Sequence, residues 1–356
     1  MTGRCAERSA WIAAAIGLAG CVLCALVAPR DFPHAWVAAL VYWIGWPLGS
    51  LALILIHALT GGRWGFAIRP QLAAGTATLP LVLPALVPLL LLSHALYPWM
   101  RPGASGLPDN RFYLNAPFFY IRVILYLVVW IGLAVRVLKA LRQATPEPIL
   151  YRLAPAGLIL MMLTVTFSVI DFTLSMEPRF KSSICGMLAA CTDVLLALSI
   201  ALMAAALGRR PMDREAVHDL GRLLFALLVL WAYLDFMQGL IVWNSNLPDE
   251  AGWYAERLVG EWGVIEALIA ALHFVLPFLV LVWAPMQRSR AVIGAVAAVL
   301  VLIQIPRSWW IVVPAARRDL SVIDAAAMLA LLGVAAALAL RSSRLAVRRP
   351  ELTFHA

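Results

Sequence analysis

Charge is scarce in this chain. Only 13% of its 356 residues are Asp, Glu, Lys or Arg, whereas 63% are hydrophobic, and the mean hydropathy is +0.88. Soluble globular domains contain about 25% charged residues. So little charge over so long a chain excludes a water-soluble globular protein and indicates a protein that resides in a membrane.

Motifs that bind cofactors or perform catalysis are also missing. The sequence contains no Walker phosphate loop, no GxGxxG after a strand, no HExxH and no cysteine cluster spaced for an iron–sulfur centre. None of its six histidines pairs with another at the same depth on a facing helix, as a b-type haem requires. We therefore expect no catalytic residue, no metal ion and no cofactor bound by this chain itself.

What the chain does contain is a series of long apolar runs. A helix of about 20 residues crosses the hydrocarbon layer of a bilayer, and its backbone amides are paired internally, as lipid requires. The runs predict an all-α integral membrane protein with ten spans, at about 11–28, 35–59, 77–96, 117–138, 153–174, 184–207, 220–243, 262–283, 291–305 and 322–340.

The connections between these spans are short. The longest, 60–76, 97–116 and 244–261, could not bury a core of their own, so residues 1–356 are predicted to form a single membrane domain. Pro306 and Arg307 directly follow the ninth run, and we expect them to end the ninth span. The first run lacks a small-residue cleavage site, and we interpret it as a retained span rather than a signal peptide.

Basic residues are distributed unevenly among the connections. The segments on the side of the N-terminus hold more Arg and Lys than the opposite segments, to which Arg307 is assigned. Because short cytoplasmic segments of membrane proteins are enriched in basic residues, we expect both termini to be cytoplasmic. The net charge of +9 then reflects topology, and we expect no nucleic-acid partner.

Ionisable side chains inside the predicted spans are the strongest functional signal. Each costs about 2.5–3.5 kcal/mol at the centre of a bilayer and must face protein or water. Such groups lie at graded depths in spans five to eight and, with one glutamine, form a candidate proton path of Asp171, Asp193, Asp235, Gln238, Glu266 and His273. The alternative is that they only join helices by hydrogen bonds, at about 0.6 kcal/mol each. We prefer that alternative for Thr164, Ser168 and Ser175, which share one helix face with Asp171.

The segment "IDFTLSMEPRFKSS" forms a charged turn between the fifth and sixth runs. Pro178 biases Glu177 away from helical angles, so we expect the fifth helix to end here. Asp171 lies just below this bend, within reach of either Arg179 or Lys181. Such a partner would compensate the charge of an acid placed inside the end of a span.

Six segments of the chain resemble one known family of membrane proteins. In this order they are similar to the F-type membrane subunit of alternative complex III, a bacterial quinol:cytochrome c oxidoreductase, which belongs with the polysulfide-reductase-type membrane anchors. The segments are "HALTGGRWGFAIRPQ" (His57–Gln71), "LYPW" (Leu96–Trp99), "FYLNAPFFYIR" (Phe112–Arg122), "DFTLSMEPRFKSSICG" (Asp171–Gly186), "HDLGRLLFALLVLWAYLDFMQGLIVWNSNLPDEAGWY" (His218–Tyr254) and "LHFVLPFLVL" (Leu272–Leu281).

The resemblance implies a fold, a setting and a set of residues. The fold would comprise two four-helix bundles, residues 35–174 and 184–313, flanked by the first and last helices. The chain would lie in the bacterial inner membrane beside a C-type quinol-binding subunit and support periplasmic multihaem cytochrome and iron–sulfur subunits. Those partners would hold haem c and iron–sulfur clusters, and a contribution of this chain to a quinone site is left open. The family-motif residues are His57, Gly61, Gly62, Trp64, Tyr113, Asn115, Arg122, Trp231 and Tyr233.

By the same resemblance, the charged turn faces the periplasmic subunits. The candidate contact residues of that turn are Glu177, Pro178, Arg179 and Lys181. The chain also departs from the family pattern, because Asp235 stands where a small apolar residue is usual and Ala58 replaces the second histidine of a pair. A proton route through this chain therefore need not follow the route of the family.

Two other functions stay open beside that of a respiratory subunit that scaffolds its complex and conducts protons. A protein of this fold could be an accessory or assembly protein of another respiratory oxidase. A small-molecule transporter is the third option, although the two halves of the chain show no matching pair of Gly/Pro-broken helices of the kind that forms midplane substrate sites.

Overall fold

The computed structural model describes residues 2–27, 29–101, 111–208, 211–316 and 319–348, and this part of the chain contains no strand. The orientation argument also used residues 209–210, 317–318 and 349, which lie outside the described residues. The α-helices in chain order are α1 (Thr2–Val27), α2 (Phe32–Thr60), α3 (Arg63–Thr76), α4 (Val82–Leu91), α5 (Ser93–Leu96), α6 (Ala116–Ala140), α7 (Glu147–Phe172), α8 (Cys185–Leu207), α9 (Arg214–Ser245), α10 (Pro248–Arg257), α11 (Gly260–Ile269), α12 (Leu276–Leu281), α13 (Ala284–Gln287), α14 (Arg290–Val312) and α15 (Val322–Arg348).

Ten stretches of the described residues are long and apolar enough to cross a membrane. The predicted all-α fold class and the predicted number of spans are confirmed, and the protein is a multi-pass membrane protein. The spans are Arg4–Val27, Phe32–Thr60, Arg63–Leu91, Ala116–Ala140, Glu147–Met176, Cys185–Leu207, Arg214–Ser245, Gly260–Leu281, Arg290–Ala315 and Val322–Arg344.

The third span begins earlier than predicted. Most of the supposed connection 60–76 is helical, and the span runs from Arg63 to Leu91 rather than from 77 to 96. Gly61 and Gly62 have φ angles of 68° and 94°, which glycine adopts at little cost, so they reverse the chain within two residues. The polar residues of α3 concealed the helix in the sequence, but α3 packs on α2 and α8.

The ninth span is longer than predicted. α14 continues through Pro306 to Val312, so the prediction that Pro306 and Arg307 end the span is wrong. A proline inside a membrane helix is tolerated where neighbouring helices satisfy the freed backbone group. Arg307, which the sequence analysis assigned to a loop, lies inside the span with 5% of its side chain exposed.

Two helices, α2 and α8, form the centre of the molecule. α2 contacts α3, α7, α8, α14 and α15, while α8 also contacts α3, α7, α9 and α14. The two approach closely because α2 presents Gly45 and Gly49 to Asp193 of α8. A Cβ atom at Gly49 would lie 1.9 Å from the Asp193 carbonyl oxygen, so a larger residue there would force the helices apart.

The outermost pair of helices joins the two ends of the chain. α1 packs along α15, and a Cβ atom at Gly17 would lie only 2.2 Å from the backbone nitrogen of Ala330. Gly333 makes the reciprocal close approach to Ala14. Only 17% of the apolar window of α1 is buried, so most of this helix is exposed on the outside of the described structure.

Side-chain bonds between helix ends distinguish two sides of the membrane domain. On the terminus side, where α1 begins and α15 ends, Arg344 pairs with Glu7. On the opposite side, which we call the turn side, the Trp99 indole donates to the Ser175 carbonyl at 3.0 Å. The supposed connection 244–261 lies on the turn side and contains α10.

Candidate functional site

The Asp171 carboxylate is fully buried near the turn-side end of α7 and is held by two residues of α6. Arg122 donates from Nη2 to Oδ1 at 2.7 Å and from Nε to Oδ2 at 2.8 Å, which is a bidentate ion pair. Tyr126 donates its hydroxyl to Oδ2 at 2.6 Å. The expectation that Arg179 or Lys181 would pair with Asp171 is wrong, because both project from the turn and are exposed.

Residues at the start of α6 position Arg122. Asn115 caps the helix by accepting the backbone N–H of Phe118 at 2.9 Å. Arg122 donates to the Tyr113 carbonyl at 2.9 Å, and its guanidinium lies 3.8 Å from the centroid of the Tyr113 ring. Burial and the charge of Asp171 raise the pKa of Tyr113, so its hydroxyl stays protonated. Three family-motif residues thus form one cluster with Asp171.

Among the hydroxyl residues that share a face with Asp171, only Thr164 bonds to a side chain of a neighbouring helix. The Thr164 hydroxyl accepts the indole N–H of Trp130 on α6 at 2.9 Å. Ser168 and Ser175 instead donate to carbonyl oxygens three or four residues earlier in the chain. The helix-joining interpretation therefore holds for Thr164, while the two serines satisfy themselves locally.

A second ion pair inside the membrane joins α9 to α14. Arg307 Nη2 lies 2.9 Å from Asp235 Oδ1, and the guanidinium lies 4.6 Å from the centroid of the Trp231 ring. The Asp235 side chain is 31% exposed, whereas that of Arg307 is almost fully buried. Asp235, which looks like a solitary acid in the sequence, is therefore compensated by a cation from another helix.

Two further ionisable groups lie next to this pair. Glu266 of α11 interacts electrostatically with Asp235 and Arg307, and its Oε2 is buried without a hydrogen-bond partner among the described residues. His273 lies in a π-helical stretch, 3.8 Å from the Trp231 ring between centroids, and neither of its ring nitrogens has a partner in the described part of the chain. We call the following five residues the Arg307 cluster: Trp231, Asp235, Glu266, His273 and Arg307. Single π-helical turns are frequent at functional sites.

The other two members of the predicted path lie elsewhere. Asp193 faces α2, and its Oδ1 is 2.6 Å from the position that a Cβ atom would take at Gly45. Gln238 accepts the hydroxyl of Ser182 at 2.5 Å, and the same hydroxyl accepts the backbone N–H of Cys185 at 3.0 Å. Gln238 therefore fastens α9 to the beginning of α8.

The structure divides the predicted proton path into separate groups. Asp171 belongs with Arg122 between α6 and α7, Asp193 packs on α2, and the remaining ionisable members surround Arg307. Within the described ranges no direct hydrogen bond joins any two of the six predicted residues. A water-linked path between the groups stays a prediction.

The charged turn is fastened to α10 and α14. Glu177 has φ −121° and ψ 73°, a non-helical conformation that agrees with the effect expected of Pro178. Its carboxylate accepts from Arg257 at 2.5 Å and from the Trp253 indole at 2.9 Å. Arg257 is fully buried and also donates to carbonyl oxygens at the end of α14. Burial lowers the pKa of Arg257, and the carboxylate of Glu177 opposes that shift.

Only part of this turn is accessible to a partner. Glu177 is engaged within the chain, and Phe180 stacks on Trp253 with ring centroids 4.3 Å apart. Arg179 and Lys181 are exposed. The role of the turn as a subunit contact stays a prediction, and these two cations are the residues that could carry it.

The His57 motif builds the tight turn between α2 and α3 on the terminus side. The Nε2 of His57 lies 2.9 Å from the Gly62 carbonyl oxygen. The Trp64 ring packs edge-on against the imidazole, with ring centroids 5.1 Å apart. A Cβ atom at Gly65 would lie 2.1 Å from the imidazole, so only glycine fits there. Together with Gly61, these residues are explained by the geometry of a compact helix–turn–helix connection.

Sequence reasoning missed the buried contacts of Arg307, which was assigned to a loop, and of Arg257. A signal for Arg307 was present: the predicted ninth run, 291–305, is shorter than the roughly 20 residues that a span needs. The helix therefore had to continue past Pro306. Among the motif residues, Tyr233 lies apart from both clusters and is 57% exposed on the outer face of α9.

Two comparisons of the sequence with known proteins found no match. No protein-family model matches the chain, and no curated protein matches it in sequence.

Proposed function

We propose that this chain is an integral membrane subunit of a bacterial quinol:cytochrome c oxidoreductase of the alternative complex III type, and that it performs no catalysis alone. The main support for the proposal is that side chains from motif segments far apart in the sequence bind each other. Arg122, at the end of "FYLNAPFFYIR", forms its bidentate ion pair with Asp171, at the start of "DFTLSMEPRFKSSICG". Gln238, in the fifth segment, binds Ser182 of the same turn.

The turn side would be the surface that supports partner subunits. The buried contact between Glu177 and Arg257 joins the connection after α7 to α10 and α14 and makes this surface rigid. Arg179 and Lys181 project from it as free positive charges. In the proposed orientation both termini are cytoplasmic, so the turn side is periplasmic and meets the multihaem cytochrome and iron–sulfur subunits. The C-type quinol-binding subunit packs beside the chain in the membrane.

The Arg307 cluster supports a proton-conducting role for this subunit. Asp235 and Glu266 share one cation, so ionisation of both acids would leave an uncompensated negative charge inside the membrane. The two carboxylates therefore place two proton-accepting groups around one buried cation. His273, in the same cluster, offers two ring nitrogens to pass a proton further.

The proposal is tested by affinity purification of the tagged chain in mild detergent, followed by haem staining and mass spectrometry. We expect stoichiometric recovery of a multihaem cytochrome, an iron–sulfur protein and a second multi-pass membrane subunit. An unrelated tagged multi-pass protein from the same membrane is the control. Recovery of the lone chain would contradict the proposal and favour a transporter, whereas recovery with a different oxidase would favour the accessory role.

A further inference from the structure

A cationic groove opens between α6 and α7 on the terminus side. Its volume is about 420 Å³, and its lining includes Arg136, Lys139, Gln143, Ile149, Arg152 and Leu153. Two of the three cations come from the last two turns of α6, and the third comes from the second turn of α7. The lining contains no acidic residue, so the groove carries a local charge of +3.

The cations of the groove lack acidic partners, whereas two other arginines on this side have them. Arg63 is paired with Asp213, and Arg69 is paired with Glu147 at 3.2 Å. Glu147 is the acid of the first turn of α7, and its bond to Arg69 engages it outside the groove. Among the described residues, Arg136, Lys139 and Arg152 have no ion pair. The positive-inside bias explains basic residues on this side, but not their convergence on one groove without compensation.

Exposed apolar side chains lie next to the groove cations along α6 and α7. Val135 is 41% exposed, Ile149 is 43% exposed and Tyr151 is 59% exposed. Arg136 and Lys139 lie within the last residues of the span Ala116–Ala140, where long cationic side chains reach the head-group level of the bilayer. The groove therefore combines cations at head-group depth with the apolar side chains of Ile149 and Leu153 in its own lining.

We propose that this groove binds an anionic phospholipid through its phosphate groups. A guanidinium binds phosphate oxygens in a bidentate manner, and the lysine ammonium adds a point charge. Basic pockets between membrane helices bind head groups of this kind. Three convergent cations fit a lipid with two phosphates, of the diphosphatidylglycerol class, better than one with a single phosphate. The inference does not depend on the proposed respiratory role.

The test is lipid binding to the purified, delipidated full-length protein, measured by native mass spectrometry. Diphosphatidylglycerol, phosphatidylglycerol, phosphatidylcholine and inorganic phosphate are the probes. We expect diphosphatidylglycerol to bind most tightly and phosphatidylcholine not to bind specifically. The triple variant Arg136→Gln, Lys139→Gln, Arg152→Gln should bind diphosphatidylglycerol roughly 100-fold more weakly, as three lost cation contacts predict.

A matched triple variant controls for net charge, because Arg4→Gln, Arg8→Gln, Arg341→Gln removes the same charge from exposed positions on the same side. It should bind like the original chain. Equal loss in both triple variants, equal binding of phosphatidylcholine, or full displacement by millimolar inorganic phosphate would each overturn the proposal. If the groove triple variant does not fold, the single variants Arg136→Gln and Arg152→Gln are measured instead. Each should bind diphosphatidylglycerol roughly fivefold more weakly than the original chain.

Discussion

Arg307 of α14 lies between two acids from different helices: its Nη2 is 2.9 Å from Oδ1 of Asp235 on α9, and its charge also acts on Glu266 of α11. Three spans are thereby connected through one cation. Since the cation is almost fully buried, its ion pair with Asp235 compensates a charge that is costly inside the membrane.

Removal of this cation should destabilise the protein strongly. We expect Arg307→Gln to cost about 3–5 kcal/mol, because it leaves an acid inside the membrane without compensation. The double variant Arg307→Gln, Asp235→Asn should recover most of that loss, since it removes the acid as well. Thermal unfolding in detergent, followed by tryptophan fluorescence, provides the measurement. An unfolding midpoint for Arg307→Gln equal to that of the original chain would show that the ion pair contributes nothing.

The partner of Asp171 can be identified by comparing arginines. Arg122→Gln breaks a buried bidentate pair and should lower the free energy of unfolding by about 3–5 kcal/mol. Arg179→Gln and Lys181→Gln remove exposed charges and should change it by less than about 0.5 kcal/mol. The same unfolding assay measures all three variants. If the turn variants destabilise the protein as much as Arg122→Gln does, the pairing described here is incorrect.

Proton conduction is tested by replacing acids with isosteric amides. Asp235→Asn combined with Asp193→Asn keeps the side-chain shapes but removes two carboxylates, one of which pairs with Arg307. In the assembled complex we expect quinol:cytochrome c turnover and proton release to fall at least about tenfold. Haem content of the purified complex verifies assembly, and Asp249→Asn on α10 is the matched control. Unchanged turnover and proton release in a complex with full haem content would refute the path.

The orientation proposal predicts the location of two reporters. A reporter fused after Ala356 should be cytoplasmic, and one inserted near Asp249, on α10, should be periplasmic. The side of the membrane is measured with reporters that are active in only one compartment. If both reporters lie on the same side, the number of spans between Asp249 and Ala356 is even and not the three described.

The close approach of α2 and α8 can be tested with two glycines. At Gly49 even a single Cβ atom would clash, because it would lie 1.9 Å from the carbonyl oxygen of Asp193. We therefore expect Gly49→Leu to cause loss of folded protein. Gly239→Leu on α9 is the control, because no atom lies within 4 Å of a Cβ atom at that position. Size-exclusion profiles in detergent report the result. A normal monodisperse profile for Gly49→Leu would contradict the close packing.

The sequence predicts what depends on composition and local spacing. Ten apolar runs become ten spans because lipid imposes length and hydrophobicity on each one separately. The bend at Glu177 follows from Pro178 for the same local reason. These features need no knowledge of neighbouring helices.

Contacts between helices could not be read in the same way. Arg122 and Asp171 are 49 residues apart, and nothing in the sequence distinguishes this partner from Arg179, which is much closer along the chain. The continuation of α14 past Pro306 likewise depends on Asp235 and Trp231 of another helix, which receive the charge of Arg307. Tertiary packing, rather than local propensity, decides both cases.

The pairing of α1 with α15 has a consequence for biogenesis. α1 has its most extensive helix contact with α15, so the face of α1 that carries Gly17 must persist in the bilayer while the intervening spans are synthesised. During that interval its small residues are open to any other helix, including α1 of a second nascent chain. Translation arrested before Val322 would leave this face of α1 without its partner α15.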